Sequence, residues 1–225
     1  MTLHTVLRTP ARDFVWITDR LASLRADYGT VDKIRHLDSY QVACGAWGDS
    51  LATRTRDELL DRVKNESFNF DDTYGSLRSL GLDMWKPGSS DSLPEQQQPN
   101  RGIIAAFYDK PDMLWRLDIL PIPVINPIYD RVTAGDKSNL GNFFVERYYP
   151  QSGKTVNDLI LIGVHATTMA RRLNTRGVGE PAVWVYSNDK FRQLTPVEIE
   201  PFTTLSAKLD DAIIEQFRNA PHVIG

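Results

Sequence analysis

The order of strand-like and helix-like segments along this 225-residue chain predicts an α+β fold, with two stacked sheets covered by helices on both outer faces. Three observations carry the prediction. Apolar runs flank short turns at Leu3–Thr18, Gly102–Ile119 and Ala182–Leu194, the pattern of hairpins. Apolar residues recur at helical spacing between those hairpins and after the last one. The blocks follow one another as strands, two helices, strands, two helices, strands and a final helix, an order that other α+β arrangements share. With 41% hydrophobic and 10% aromatic content, residues 1–225 suit one sizeable domain.

Each element has its own signal. Leu3 to Arg8 reads as a strand, and Thr9 to Asp13, with Pro10, turns it into Phe14 to Thr18, leaving Thr2 at the free end of a hairpin. Leu21 to Asp32 holds small and polar residues that suit a loop. Lys33 to Leu37 starts another strand, and the apolar run Val42, Ala43, Cys44 stops at Gly45. From Asp49 to Lys64, Leu51, Leu59, Leu60 and Val63 keep a helical period, with Asp49 or Ser50 as the cap. Phe68 to Leu82 has helical spacing broken by Gly75 and Gly81. Residues 86–100, KPGSSDSLPEQQQPN, lack apolar periodicity and read as an exposed, mobile loop, whether a lid, a spacer or a solvated insertion.

Gly102 to Tyr108 and Met113 to Ile119 are strands around the turn DKPD, and Pro121, Pro123 and Pro127 punctuate the next stretch. Leu140, Phe143, Phe144 and Arg147 then fall at helical offsets, in a helix opening at Lys137 or Ser138. Thr155 caps the next helix, with Asp158 in its first turn, Leu159, Ile162, Ala166 and Met169 on its apolar side, and Arg171 and Arg172 against the dipole at its end. Ala182 to Tyr186 and Phe191 to Leu194 form a hairpin around SNDK. A last helix after Pro201 uses Leu205, Leu209, Ile213 and Phe217.

Candidate chemistry concentrates in Trp16 to Asp49 together with Thr2. The strand ending at Thr18 delivers Asp19, and the one beginning at Lys33 delivers an ammonium. With Gly45 as an exposed amide, a carboxylate, a lysine and an N–H donor meet at one sheet end. If Met1 is removed, Thr2 carries its own base, because an α-amine with a pKa of about 7.7 to 8.0 is partly neutral near pH 7 and takes the hydroxyl proton. A lysine held ionised by a carboxylate favours the alkoxide, and a glycine amide holds the developing oxyanion. A surface Asp-Arg ion pair and a solvated lysine would leave the same residues in the same places.

The stretches ITDR, DKIRHLDSY and CGAWGD resemble β-type subunits of the proteasome and the peptidase subunit of its bacterial heat-shock relative, which are N-terminal threonine (Ntn) hydrolases. The resemblance implies a four-layer αββα sandwich. It also implies Thr2 as nucleophile, Asp19 as the carboxylate, Lys33 as the lysine and Gly45 as the oxyanion glycine. GDKSNLGNFFVERYY, with Glu146 in register, KTVNDLILIGVHATTMARR and GVGEPAVWVYSNDKFRQLTPVEIE look like the family's third helix, fourth helix and closing hairpin with its tail. The likeness spans residues 2 to about 218 and is poor from Asn65 to Gln98. Loop lengths depart from the family: Thr2 to Asp19 is about one residue longer, and Asp19 to Lys33 and Tyr40 to Gly45 about two shorter.

The family supports its threonine with two serines and an aspartate, and these positions fall here on Asp136, Asn174 and Gly177. Either a carboxylate has moved to Asp136 and still orients the Thr2 amine, or the site has decayed and the fold serves as a non-catalytic ring or scaffold subunit. Asp136 also reads as an ordinary N-cap. The resemblance implies a threonine peptidase assembled as a homo-oligomeric ring, with unfolded protein or peptide substrates and an ATP-driven unfoldase as a possible supplier. Ala43 would border the first specificity pocket and leave room for a bulky substrate residue. A ligase would pass the same acyl group to an amine.

Several classes are excluded. The formal net charge of −3, with both signs interspersed, offers no footprint for nucleic acid. Cys44 is the only cysteine, so no intrachain disulfide forms, and its apolar setting suggests a buried thiol. His4, His36, His165 and His222 lack metal-ligand spacing, no GxSxG elbow occurs, and GVG at 177–179 precedes a strand where a phosphate cradle needs a helix. No cofactor or metal is expected. Without a signal-length apolar core at its start or a segment of about 18 apolar residues, the chain is expected to stay off membranes and in the cytosol.

Overall fold

The computed structural model describes residues 3–24, 27–30, 33–85, 100–110, 113–135, 138–173 and 178–218. The fold is α+β, with two five-stranded antiparallel sheets. The first sheet contains β1 (His4–Arg8), β2 (Phe14–Asp19), β10 (Arg131–Ala134), β11 (Pro181–Ser187) and β12 (Lys190–Gln193), in the order β10-β1-β2-β11-β12. The second runs β5-β6-β7-β8-β9, from β5 (Ile34–Leu37) and β6 (Val42–Trp47) through β7 (Gly102–Phe107) and β8 (Leu114–Asp118) to β9 (Val124–Pro127).

Period-two alternation gives the central strands two buried faces. On β2, Val15 and Ile17 pack with Leu159, Ile162 and Val164 of α4 (Val156–Leu173), while Phe14 and Trp16 enter a cluster with Ala43, Trp47 and Ile104 of the other sheet. On β6, Val42, Cys44 and Ala46 face Ala52, Leu59 and Leu60 of α1 (Ser50–Lys64) and Leu77 and Leu80 of α2 (Thr73–Met84). Because both faces are covered, these strands read as continuous apolar runs in place of alternating ones. Each fully buried Leu, Val or Phe contributes roughly 1.5–3 kcal/mol.

Helix starts are fixed by side chains. Asp49 accepts from the N–H groups of Leu51 and Ala52 at the head of α1, a cap worth about 1 kcal/mol. Thr155 and Asp158 form a reciprocal box at α4: the Thr155 N–H donates to Asp158 at 3.0 Å and the Asp158 N–H to the Thr155 hydroxyl at 3.2 Å. Thr195 and Glu198 repeat it at α5 (Pro196–Arg218). That box corrects the expectation of a helix starting after Pro201. The helix begins at Pro196, where a proline suits the first position, and Pro201 lies inside it.

Three other expectations change, and one stretch left unassigned gains strands. Leu21 to Asp32 is not all loop, since β3 (Leu21–Leu24) and β4 (Asp27–Thr30) pair as a separate two-stranded sheet through their backbones. Strand β6 does not stop at Gly45 but continues to Trp47, because the glycine is there for a close approach: a Cβ at 45 would stand 2.6 Å from the Trp16 ring. The proline-punctuated stretch contains β9, at a sheet edge where Pro127 costs no ladder bond to an outer neighbour, and β10, paired with β1. Finally, α2 starts at Thr73, capped by Asp72, while Phe68 enters the core ahead of the helix. The helix expected from Lys137 or Ser138 is present as α3 over Ser138–Tyr148, and Lys137 lies outside the described residues. Residues 86–99 lie outside the described residues.

Candidate functional site

Hairpin β1–β2 pairs His4 with Thr18, so the next step of the register brings Leu3 beside Asp19. Two bonds close that end: the Asp19 N–H donates to the Leu3 carbonyl at 3.2 Å, and the Leu3 N–H donates to Asp19 Oδ1 at 2.6 Å. Lys33, just before β5, places Nζ 2.8 Å from both carboxylate oxygens of Asp19. The Gly179 N–H, from the segment leading into β11, donates to Oδ2 at 3.3 Å.

Asp19 is 0% and Lys33 7% exposed, so this is a buried ion pair whose acid is held by donors from separate segments. A carboxylate so occupied orients its lysine and is not available as a base. Removing either partner would leave a buried charge uncompensated, at a cost of about 3–5 kcal/mol. Arg56 of α1 is also buried and donates from Nη1 to the Lys33 carbonyl at 3.4 Å, with Asp57 beside its guanidinium at 2.9 Å.

Gly45 is not the exposed amide that the sequence suggests: it is buried on β6, opposite Ile34 on one side and Ile104 on the other, inside a strand paired on both edges. His4 and Trp16 of the first sheet sit against it. Trp16 Nε1 donates to His4 Nδ1 at 3.1 Å, and His4 Nε2 is 3.1 Å from the Ala46 carbonyl. Burial drives the His4 pKa down from 6.5 to about 4, with the Lys33 cation adding to the effect and the Ala46 bond opposing it.

Of the residues singled out in the sequence, Asp19 and Lys33 are in contact, and Gly45 is on the strand next to the one that follows Lys33. Ala43 is 0% exposed in the cluster between the sheets, paired with His36 and Ala106, so a substrate side chain would have to enter that layer to reach it. Thr2, Asp136, Asn174 and Gly177 lie outside the described residues. The sequence reading missed the Leu3 and Gly179 amides, the His4–Trp16 pair and Arg56. Backbone donors leave no side-chain signal, whereas a histidine within an apolar strand was a signal open to reading.

The other two described histidines lie apart. His36 meets Trp184 edge-on with ring centres 5.0 Å apart, and His165 bonds Ser206 between α4 and α5. The Cys44 thiol is buried and its pKa is pushed far up by desolvation, so it is inert at neutral pH. Among the described residues, no helix is long and apolar enough to cross a membrane.

These features define an α+β protein with a buried acid–lysine centre where strands of two antiparallel sheets converge. No family model and no curated protein matches the sequence. Solved structures do match: Anbu (ancestral beta-subunit) from Yersinia bercovieri superposes with a TM-score of 0.72 at 13% identity, over 99% of this chain and 100% of that one. A mutant of Anbu from Hyphomicrobium sp. strain MC1 gives 0.70 at 14% identity over 100% of both chains. Anbu from the same strain gives 0.70 at 15%, over 99% of this chain and 100% of that one.

At such identities the likeness establishes the fold, which is that of the Anbu proteins. It corrects the resemblance drawn from the sequence. The structural neighbours are Anbu proteins, proteasome-like relatives distinct from the β-type subunits of the proteasome. Short motifs such as ITDR, DKIRHLDSY and CGAWGD fix where an acid, a lysine and a glycine stand, and do not decide the branch to which a chain belongs.

Proposed function

We propose that this chain is a threonine peptidase with an Anbu-like, four-layer αββα sandwich of the Ntn-hydrolase type, folded as one domain. Removal of Met1 frees the Thr2 amine. Thr2 Oγ then attacks the carbonyl carbon of a peptide bond and its proton passes to that amine, Lys33 stabilises the charge on oxygen, and Asp19 holds Lys33 in place. The Gly45 N–H stabilises the oxyanion. The amine leaving group departs with the proton, and water releases the acyl group from Thr2. Asp136, Asn174 and Gly177 form the supporting shell, and Ala43 borders the pocket for the substrate side chain.

One observation carries this reading. The buried Asp19–Lys33 pair bonds the N–H of Leu3, the residue that directly follows Thr2, at 2.6 Å. Thr2, the hydroxyl-bearing residue that removal of Met1 would make N-terminal, is thus the immediate covalent neighbour of a group that binds the pair.

The chain is further proposed to act as a homo-oligomer that admits unfolded chains or peptides, supplied where needed by an ATP-driven unfoldase. Support comes from α5, where Leu205 and Leu209 are each 46% exposed and Ile213 and Ile214 are exposed beside them. Apolar side chains grouped on one exposed helix mark an association surface.

The second reading is a non-catalytic subunit of the same fold. It is favoured by the burial of Gly45 inside a strand paired on both edges.

Intact mass and an electrophilic threonine-directed probe separate the two. The peptidase reading expects a mature chain without Met1 that takes the probe at Thr2, and a Thr2→Ala variant that takes none. A chain that keeps Met1, or a mature chain that resists the probe, would overturn it.

A further inference from the structure

The proposed catalytic groups come from two sheets. Thr2 precedes β1 of the first sheet, whereas Gly45 belongs to β6 of the second. Their separation is therefore set by whatever fixes one sheet against the other at this end. Most of the layer between the sheets is apolar: Val6, Phe14, Ala43, Ile104 and Ala106 meet there. Apolar contact is non-directional and tolerates small slides, while a hydrogen bond does not.

His4 supplies the directional contact. An indole N–H can only donate, so the 3.1 Å contact from Trp16 Nε1 makes His4 Nδ1 the acceptor. The ring proton of the neutral imidazole is then on Nε2, which donates to the Ala46 carbonyl at 3.1 Å across the sheet boundary. The ring is 0% exposed, and its Cε1 would stand 2.9 Å from a Cβ at position 45, so it rests directly on the glycine. The β5–β6 register pairs Ile34 with Gly45, and its next step puts Lys33 across from Ala46. His4 thus touches the segment of β6 that faces the lysine, from a position two residues after Thr2.

We propose that His4 is a positioning residue. Its bond to the Ala46 carbonyl and its contact with Gly45 fix the distance from the nucleophile-bearing start of β1 to the oxyanion amide on β6. It neither touches substrate nor transfers a proton, and a pKa held down to about 4 by burial keeps it neutral throughout the physiological range. The inference rests on the threonine peptidase reading.

A graded set of variants tests it. Gln can place a donor near the position of Nε2, Asn can place an acceptor near that of Nδ1, and Leu can do neither. For His4→Asn and His4→Leu, kcat should fall by about tenfold to a hundredfold with KM unchanged, as expected when reacting groups are misplaced without loss of substrate contacts. For His4→Gln, kcat should stay within about threefold of the parent, although all three variants melt at lower temperature.

Loss of kcat that simply follows the fall in Tm across the set, Gln included, would overturn the inference. So would a parent that reacts with the threonine probe while His4→Asn and His4→Leu keep its kcat. A parent inert to the probe would overturn the peptidase reading, and this inference with it.

Discussion

Two of the polar centres buried among the described residues are built differently. At the mouth of the sheets, Asp19 gathers Lys33, the Leu3 amide and the Gly179 amide, with His4 bridging to the second sheet nearby. Between α4 and α5, His165 Nδ1 meets the Ser206 hydroxyl at 2.9 Å, with the Phe144 and Tyr148 rings set edge-on to the imidazole. Both are shielded from water. The first is charged and draws its groups from positions 3, 19, 33 and 179, far apart in the chain, whereas the second is a neutral link between two packed helices. Burial of a polar group is therefore no mark of function by itself. Convergence of several segments on one charge is the more selective sign.

The largest expected effect breaks the first centre. Lys33→Ala leaves the Asp19 carboxylate in the interior without its cation, so unfolding free energy should drop by about 3–5 kcal/mol in a denaturant titration. Peptide hydrolysis should fall by at least about a hundredfold. If the variant still cleaved peptides at the parent rate, Lys33 would have no part in the chemistry. Unchanged stability would mean that the pair is hydrated in solution.

A smaller effect comes from acid. Burial lowers the His4 pKa from 6.5 to about 4, so between those values the unfolded chain binds a proton that the folded chain refuses. Stability from this group is complete above pH 6.5 and is lost as pH falls toward 4, by about 3 kcal/mol at the lower end. His165 is shifted the same way, by burial first and the Arg172 cation second, and Glu146 and Glu198 are lowered mainly by hydrogen bonds, from Arg131 and from Thr195 respectively. The contribution of His4 is thus read as a difference. The slope of stability against pH between 6.5 and 4 should be shallower in His4→Gln than in the parent, and equal slopes would show that His4 protonates without cost.

The two centres were unequally legible in the sequence. Asp19 and Lys33 could be read because each ends or begins an apolar run, and two stacked sheets bring such positions together at one end. The helix caps were legible too, in Asp49 and in Thr155 with Asp158, since a side-chain oxygen before an apolar period has a local meaning. Thr195 with Glu198 has the same form and went unread because Pro201 looked like a boundary.

Features that depend on contacts across the chain were hidden. Gly45 resembles a strand terminator until Trp16 and His4 are seen against it, and β3 and β4 pair without the apolar alternation that announces a strand. The direction of the His4 bond comes from an indole twelve positions away in the chain, which no local pattern records. The branch of the fold was likewise beyond reach of its motifs.

The smallest effect sharpens the contrast from the other side. Ser206→Ala removes the hydroxyl that meets His165 and leaves Nδ1 unsatisfied in a packed helix interface. Stability should fall by about 1–2 kcal/mol, seen as a lower melting temperature. Activity and probe labelling should not change, because the lost hydrogen bond joins α4 to α5 and involves none of Leu3, Asp19, Lys33 and Gly179. A Ser206→Ala variant that lost activity while staying folded would join the two centres energetically, and the distinction between a structural polar core and the one proposed to be catalytic would have to be redrawn along α4.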